Sequence, residues 1–186
     1  MLLMTLFLAG CTSTEGTIHQ KIHTRYYDMP SYTSQCQATV ISNKTKNTYA
    51  VRITYDGEGD RYRIDYDNMS VILTSSNAQI KKDNTVMSYP VNNSYMLILP
   101  NGFFKSYYTS EKASQTTGSM HGGCTELECD ILNPPTWANS MKLWIDNKSL
   151  NPRRMKIFDK EMNEKIDIEY TEFKVLNKVE ENIFEF

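Results

Sequence analysis

The sequence predicts a single, mainly β domain of the α+β class, in which most strands pair antiparallel and a few helices pack on the sheet. Apolar and polar residues alternate with a period of two in segments such as 49–55, 62–66 and 166–170. The connections at 43–47 and 56–60 are rich in turn residues and have the length of hairpin loops. A chain of 186 residues suits one domain with a substantial core.

The charge balance excludes one large class of partners. The chain has 20 Lys and Arg against 22 Asp and Glu, and its basic residues are spread along the sequence. A nucleic-acid footprint needs clustered basic residues, so we expect no nucleic-acid partner. The abundance of Tyr, Asn, Lys and Ile is typical of an AT-rich genome, such as that of a low-GC Gram-positive bacterium.

The first residues resemble the lipobox of bacterial lipoproteins. An apolar run ends in Leu8-Ala9-Gly10-Cys11, and it is too short to span a bilayer as a helix. The alternative is a truncated ordinary signal sequence or a buried strand. We expect residues 1–10 to be a signal segment, incomplete because no Lys or Arg precedes the run. Cys11 then carries a diacylglyceryl lipid at the outer leaflet of the cell membrane, and residues 11–17 form a flexible tether.

Residues 18–186 are expected to form the folded domain. Ile18, Ile22 and Tyr26 lie at helical spacing in a short helix over 18–29, which Pro30 ends. A second helix is predicted within 97–110, beginning near Pro100. Alternation predicts strands at 36–40, 49–55, 62–66, 70–74, 78–82, 86–89, 125–132, 141–145, 155–159 and 166–175, and a closing edge strand at 183–186.

The cysteines other than Cys11 leave three possibilities open. Cys124 and Cys129 flank a segment that could close a tight hairpin, which makes a disulfide between them possible outside the cell. A zinc site formed by these two cysteines and His121 is a weaker alternative, because a second pair of ligands is missing nearby. The third possibility is that the thiols are buried and free.

The sequence carries no motif for catalysis. It has no G-x-S-x-G, H-E-x-x-H or P-loop pattern and no cysteine with a nearby histidine motif, so we expect neither an enzyme nor a bound cofactor or metal. The acidic pairs Asp65/Asp67 and Glu126/Glu128 have a spacing of two, which places both members on one face of a strand. They are interpreted as solvated positions.

Aromatic residues provide the candidate contact positions. Phe103, Phe104, Tyr107 and Tyr108 lie at helical spacing, and either they fill the core beneath the sheet or they line a cavity for acyl chains. Trp137, just after two prolines, is a candidate anchor for a partner, with half-buried structure as the alternative.

Several segments, together with the order of elements, resemble those of a known superfamily. They are Arg61–Ile64, Leu143–Asp146, Pro152, Met155–Asp159, Ile166–Phe173, Asn177 and Ile183–Phe186. On these segments the chain resembles the LolA/LolB-like superfamily. This resemblance implies a strongly curved antiparallel sheet, a half-barrel, with helices on its concave face.

Within that superfamily the layout of lipobox, tether and domain is similar to the clostridial spore-germination lipoproteins of the GerS type. That resemblance implies a non-catalytic protein that binds and activates the zinc-dependent N-acetylmuramoyl-L-alanine amidase CwlD, which modifies cortex peptidoglycan. It also implies a place at the forespore membrane region of a sporulating cell. The alternative is a carrier or sensor of lipid or lipoprotein that holds acyl chains on the concave face. Exposed strand edges could also pair two copies as a homodimer.

Overall fold

The computed structural model describes residues 16–91, 93–118 and 122–186, and it omits the side chains of residues 93–95, 117 and 118 from that description. Two α-helices lie in these ranges, α1 (Ile18–Tyr26) and α2 (Pro100–Thr109), with 3₁₀ turns at Asn93–Ile98 and Glu181–Phe184. The strands are β1 (Tyr32–Ile41), β2 (Lys46–Asp56), β3 (Arg61–Tyr66), β4 (Met69–Leu73), β5 (Asn77–Lys82), β6 (Thr85–Pro90), β7 (Ser114–Gly118), β8 (Cys124–Asp130), β9 (Ser140–Asp146), β10 (Pro152–Phe158) and β11 (Glu164–Val175).

In the described part of the chain the strands form one antiparallel sheet that is curved and does not close. Its order is β6-β5-β4-β3-β2-β1-β11-β10-β9-β8-β7, so neighbours in sequence are almost always neighbours in space. The exception is β6 and β7, which follow each other in sequence but lie at opposite edges. The pairing of β1 with β11 joins the two meanders at the middle of the sheet. Strands β6 and β7 are the two edges. The predicted fold class and curved antiparallel sheet are confirmed.

Alternation along each strand decides which face is buried. In β9, Met141, Leu143 and Ile145 are fully buried, and they stand opposite Ile157, Met155 and Pro152 of β10. Side chains that face each other across an antiparallel pair lie on the same side of the sheet. These apolar rows therefore continue from strand to strand and form the concave side, where the core lies.

Helix α1 lies against this core. Thr17 and Gln20 form a capping box at its start, in which each side chain accepts a hydrogen bond from the other residue's backbone N–H. Ile22 and Tyr26 are buried, and the Tyr26 hydroxyl donates a hydrogen bond of 2.6 Å to the carbonyl of Leu150. The helix ends at Tyr26, three residues before the predicted end at 29.

Helix α2 begins at Pro100, as predicted, because the fixed φ of proline suits the first helical position. Gly102 allows its close approach to the preceding 3₁₀ turn. A Cβ atom at this position would lie 2.0 Å from the backbone oxygen of Met96, so a larger residue could not be accommodated without a shift of the backbone.

The predicted closing edge strand at 183–186 is wrong. Its first residues belong to the 3₁₀ turn Glu181–Phe184, which is held against the convex side of β3. The Arg61 guanidinium pairs with the Glu181 carboxylate at 2.7 Å and lies 4.5 Å from the centre of the Phe184 ring. Arg63 donates a hydrogen bond to the carbonyl of Ile183. These contacts occupy the backbone and side chains of the segment on the outer surface, away from the strand edges.

Candidate functional site

Aromatic side chains of both helices fill the concave face of the sheet. The Tyr26 and Phe104 rings stack with their centres 4.4 Å apart, and Phe103 is fully buried. Phe103 and Phe104 meet edge to face at 5.5 Å, a favoured geometry for aromatic pairs. The two phenylalanines therefore belong to the core of the domain.

Tyr107 and Tyr108 lie further out on α2 and are only half-buried. Tyr108 packs edge to face against His23 at 5.2 Å, and His23 in turn stacks on the exposed Tyr27. Burial raises the pKa of the Tyr108 hydroxyl to about 12, so it is protonated at physiological pH. These rings form a small aromatic cluster at the rim of the concave face, beside a cleft of about 310 Å³.

Trp137 lies in the loop between β8 and β9, and its side chain borders a cleft of about 710 Å³ at one end of the sheet. The side chain is 37% exposed, and Val40, at the end of β1, is 44% exposed on the same cleft. The remaining lining combines apolar and charged residues: Ile41, Ser42, Asn43, Lys44, Thr136, Asp159, Glu161, Lys165 and Ile166. We call this feature the Trp137 cleft.

Asp159 holds one wall of the Trp137 cleft in shape. Its carboxylate accepts hydrogen bonds from the backbone N–H of Asn163 at 2.8 Å and of Glu161 at 3.1 Å, and it pairs with Lys165 at 2.8 Å. The hydrogen bond from Lys165 and those from Asn163 lower the pKa of Asp159 to about 2, against the opposing effect of burial. The carboxylate is thus already satisfied within the β10–β11 turn.

The structure contradicts the possible disulfide between Cys124 and Cys129. Both residues lie in the single strand β8, and no hairpin turn separates them. Their spacing of five places them on opposite faces of the sheet, and both thiols are buried and free. Burial raises the pKa of the Cys129 thiol to about 12 and also raises that of Cys124.

The convex face carries ion pairs that link adjacent strands. Lys142 of β9 bridges Glu126 and Glu128 of β8 at 3.0 Å each, and Arg154 of β10 pairs with Asp167 of β11 at 2.6 Å. The expectation that Glu126 and Glu128 lie on one strand face thus holds, but both bind a neighbouring lysine and are not merely solvated. Asp65 faces outward, where it pairs with Arg63 at 3.0 Å.

Several of the sequence predictions concern residues that are not described, among them the signal segment 1–10 and most of the tether 11–17. Cys11, the predicted lipidation site, and His121, the third ligand of the alternative zinc site, lie outside the described residues. Within the described residues no group of three or more His, Cys, Asp or Glu side chains could hold a metal ion. No described helix has the length and apolarity needed to cross a membrane.

Sequence reasoning missed two groups of exposed apolar residues, one beside Trp137 and one on the edge strand β6. Val40 lies in a strand whose alternation predicts a buried side chain, yet it is 44% exposed. Val86, Met87 and Tyr89 of β6 are apolar or aromatic and are 40–50% exposed. A signal for β6 does exist, because no charged residue occurs between Asp83 and Lys105.

The curved, unclosed sheet with two helices packed on it is the LolA/LolB-like fold that the resemblance implied. More narrowly, the model of the sporulation protein YdcC-like family matches residues 1–184, so the chain belongs to that family. No curated protein matches the chain in sequence.

Three solved structures have the same fold. An uncharacterized conserved protein from Thermus thermophilus is 11% identical, with a TM-score of 0.57 and 91% of each chain covered. The GerS lipoprotein, solved with the CwlD amidase from Clostridioides difficile, is 22% identical, with a TM-score of 0.52, 88% of this chain and 97% of that chain covered. A putative outer membrane lipoprotein-sorting protein domain from Vibrio parahaemolyticus is 10% identical, with a TM-score of 0.50, 90% of this chain and 94% of that chain covered.

Proposed function

We propose that this chain is a membrane-anchored lipoprotein without catalytic activity, which binds and activates a cell-envelope enzyme during sporulation or germination. The partner we propose is an N-acetylmuramoyl-L-alanine amidase, by analogy with the GerS lipoprotein that was solved in complex with the CwlD amidase. Membership of a sporulation-protein family supports the setting.

The observation that carries this proposal is where the apolar side chains lie. Phe103, Phe104 and Tyr26 occupy the concave face and pack on one another, so they do not line an open chamber. Trp137 and Val40 are instead exposed at the end of the sheet. A carrier presents apolar surface inside, whereas a protein that binds another protein presents it outside.

The state of the titratable groups supports a role without catalysis. A nucleophilic cysteine needs a lowered pKa, and burial raises the pKa of Cys36 and of Cys129 to about 12. Asp159 and Asp167 are held as carboxylates by lysine or arginine partners, which lower their pKa. General acid–base catalysis needs a group whose pKa lies near neutral pH. The raised pKa values of these thiols and the lowered pKa values of these carboxyl groups both lie away from it.

The Trp137 cleft is the proposed contact surface for the amidase. Partly exposed tryptophans are enriched among the residues that dominate binding energy, especially where apolar neighbours exclude water around them. Val40 and Ile41 provide such neighbours, and the ion pair of Asp159 with Lys165 supplies a polar rim. Lipidation at Cys11 would hold this surface at the membrane, where an envelope enzyme is met at raised local concentration.

The proposal is tested with the full-length chain, purified in detergent, and the purified amidase. We expect the wild-type chain to bind the amidase and to increase its release of peptide from cortex peptidoglycan. Trp137→Ala should weaken binding at least tenfold, whereas Tyr27→Ala, which removes an exposed aromatic residue elsewhere, serves as the matched control. If the wild-type chain neither binds the amidase nor changes its rate, the proposed function is wrong.

The same preparation separates the carrier alternative. Lipids are extracted from the purified chain and analysed by mass spectrometry, and acyl chains beyond those attached to Cys11 are counted. A protein that acts through its outer surface should bring none in stoichiometric amount. One additional bound lipid per chain would favour the carrier over the amidase-binding protein.

A further inference from the structure

Strand β6 is an edge of the sheet whose protection against strand pairing is confined to Pro90 at its last position. It pairs with β5 without a bulge over six residues, from Thr85 opposite Lys82 to Pro90 opposite Asn77. All six residues are exposed and none is charged. Natural edge strands normally carry lysines, bulges or inward-facing charges, since a regular apolar edge can pair with another chain.

The hydrogen-bonding pattern shows which backbone groups face outward. The N–H of Val91 donates to the carbonyl of Ser76, which places residue 91 on the side of β5. Backbone groups of successive residues in an antiparallel strand point to opposite sides. Met87 and Tyr89 therefore direct their N–H and C=O groups toward β5, and Val86 and Ser88 direct theirs toward the open side.

Pro90 agrees with this assignment. It occupies an outward-facing position, so its missing N–H removes no hydrogen bond from the ladder with β5. The backbone carbonyl of Pro90 can accept a hydrogen bond, but the residue has no N–H to donate one. Outward positions that offer both groups therefore end before Pro90. The available edge thus has Val86 and Ser88 as complete pairing positions, with the side chains of Met87 and Tyr89 beside them on the concave side.

We propose that β6 accepts an extended, uncharged strand of the partner amidase, which adds to the sheet through hydrogen bonds to the backbones of Val86 and Ser88. The inference rests on the proposed function and names a second surface for it. An outward row of alternating donors and acceptors is complementary to an extended backbone and to little else. Apolar side chains of the added strand would contact Met87 and Tyr89, which are 40% and 44% exposed.

A second copy of this chain is a weaker occupant. Pairing β6 with itself joins two six-residue strands, while a stable interface usually involves roughly 20–30 residues on each side. The amidase already has a proposed contact surface at the Trp137 cleft, so its strand at β6 would be one part of a larger interface. The amidase strand is therefore the occupant to which the proposal commits.

Residue-resolved hydrogen exchange tests this assignment, using the full-length chain with and without purified amidase. In the free chain, the amides of Val86 and Ser88 should exchange quickly, whereas those of Met87 and Tyr89 are slowed by their bonds to β5. Saturating amidase should slow exchange at Val86 and Ser88 at least tenfold. The inward amides serve as an internal reference within the same strand.

Two substitutions at one position provide the matched variants. Ser88→Pro removes the outward N–H and leaves the ladder with β5 its donors, so we expect at least tenfold weaker amidase binding. Ser88→Ala keeps that N–H and should bind as the wild type does. Slow exchange at Met87 and Tyr89 in the Ser88→Pro chain verifies that the β5–β6 pair still forms.

The outcomes separate the two proposals. Amidase binding without protection of Val86 and Ser88, or unchanged binding by Ser88→Pro, overturns the strand-pairing proposal and leaves the proposed function standing. Failure of the wild-type chain to bind amidase refutes the proposed function itself. Protection that appears when the chain alone is concentrated identifies a second copy as the occupant and also overturns the proposal.

Discussion

Replacing Phe103 by alanine tests whether the concave face is a packed core or the lining of a cavity. The Phe103 side chain is fully buried, meets Phe104 edge to face at 5.5 Å and stacks on Tyr107 at 5.7 Å. Truncating a buried phenylalanine usually removes about 3–5 kcal/mol, which combines the lost transfer free energy with the cavity left behind. We expect the free energy of unfolding to fall by about 4 kcal/mol.

That loss is measurable because a domain of this kind is stabilised by only about 5–15 kcal/mol in total. Urea denaturation followed by circular dichroism gives the free energy of unfolding, and an unchanged slope with urea shows that the transition is still between the same two states. Tyr27→Ala is the control. Tyr27 is 64% exposed, so we expect a change below about 1 kcal/mol.

The packed-core interpretation would be refuted by a specific combination of results. If Phe103→Ala lowered the free energy of unfolding by less than about 1 kcal/mol, the ring would not be part of a close-packed interior. If the variant also changed the amount of lipid that co-purifies with the chain, the ring would line a binding cavity. The carrier alternative would then replace the protein-binding role.

Three further predictions follow from the anchor, the thiols and the charged turn. Cys11→Ala should move the chain from the membrane fraction to the soluble fraction without changing its circular dichroism spectrum; continued membrane retention would count against lipidation at that residue. Cys124 and Cys129 should react with a thiol reagent only after unfolding, and a reducing agent should leave the Tm unchanged, whereas a lowered Tm would indicate a disulfide. The pKa of Asp159 is lowered in the folded state to about 2 by Lys165 and Asn163, so its contribution to stability is present above about pH 4 and is lost as the pH falls toward 2. Asp159→Asn should therefore make the urea midpoint depend less on pH between about 4 and 2 than in the wild type, and equal slopes would disprove this role.

Local alternation was enough to predict the buried faces of the central strands. In β9 and β11 the apolar residues at every second position became the concave core, because the other face meets solvent. Strand β7 could not be found this way. Its sequence, from Ser114 to Gly118, has no apolar residue, and the strand is held by backbone pairing with β8 at the edge of the sheet.

The question left open at the cysteines and the wrong strand predicted at the last residues have a common physical origin. A local pattern gives the period of a segment but not its distant neighbours. The segment from Cys124 to Cys129 fits a hairpin or a single strand, and only its pairing with both β7 and β9 selects the strand. The residues Ile183–Phe186 alternate as an edge strand would, yet on the convex face Arg61 of β3 lies over the Phe184 ring and Arg63 binds the carbonyl of Ile183.

The same long-range packing determines which surfaces remain for recognition. The concave side is occupied by α1 and α2, and the convex side is crossed by ion pairs such as Arg154 with Asp167, whose charges already satisfy each other. A partner that docked on those pairs would have to remove water from paired charges, and the gain in binding free energy would be small. The edge at β6 carries exposed apolar groups and no charge, and at Trp137 the ion pair of Asp159 with Lys165 lies beside exposed apolar groups that a partner could cover. The ends and edges of this half-barrel are therefore the places where substitutions should separate binding from folding.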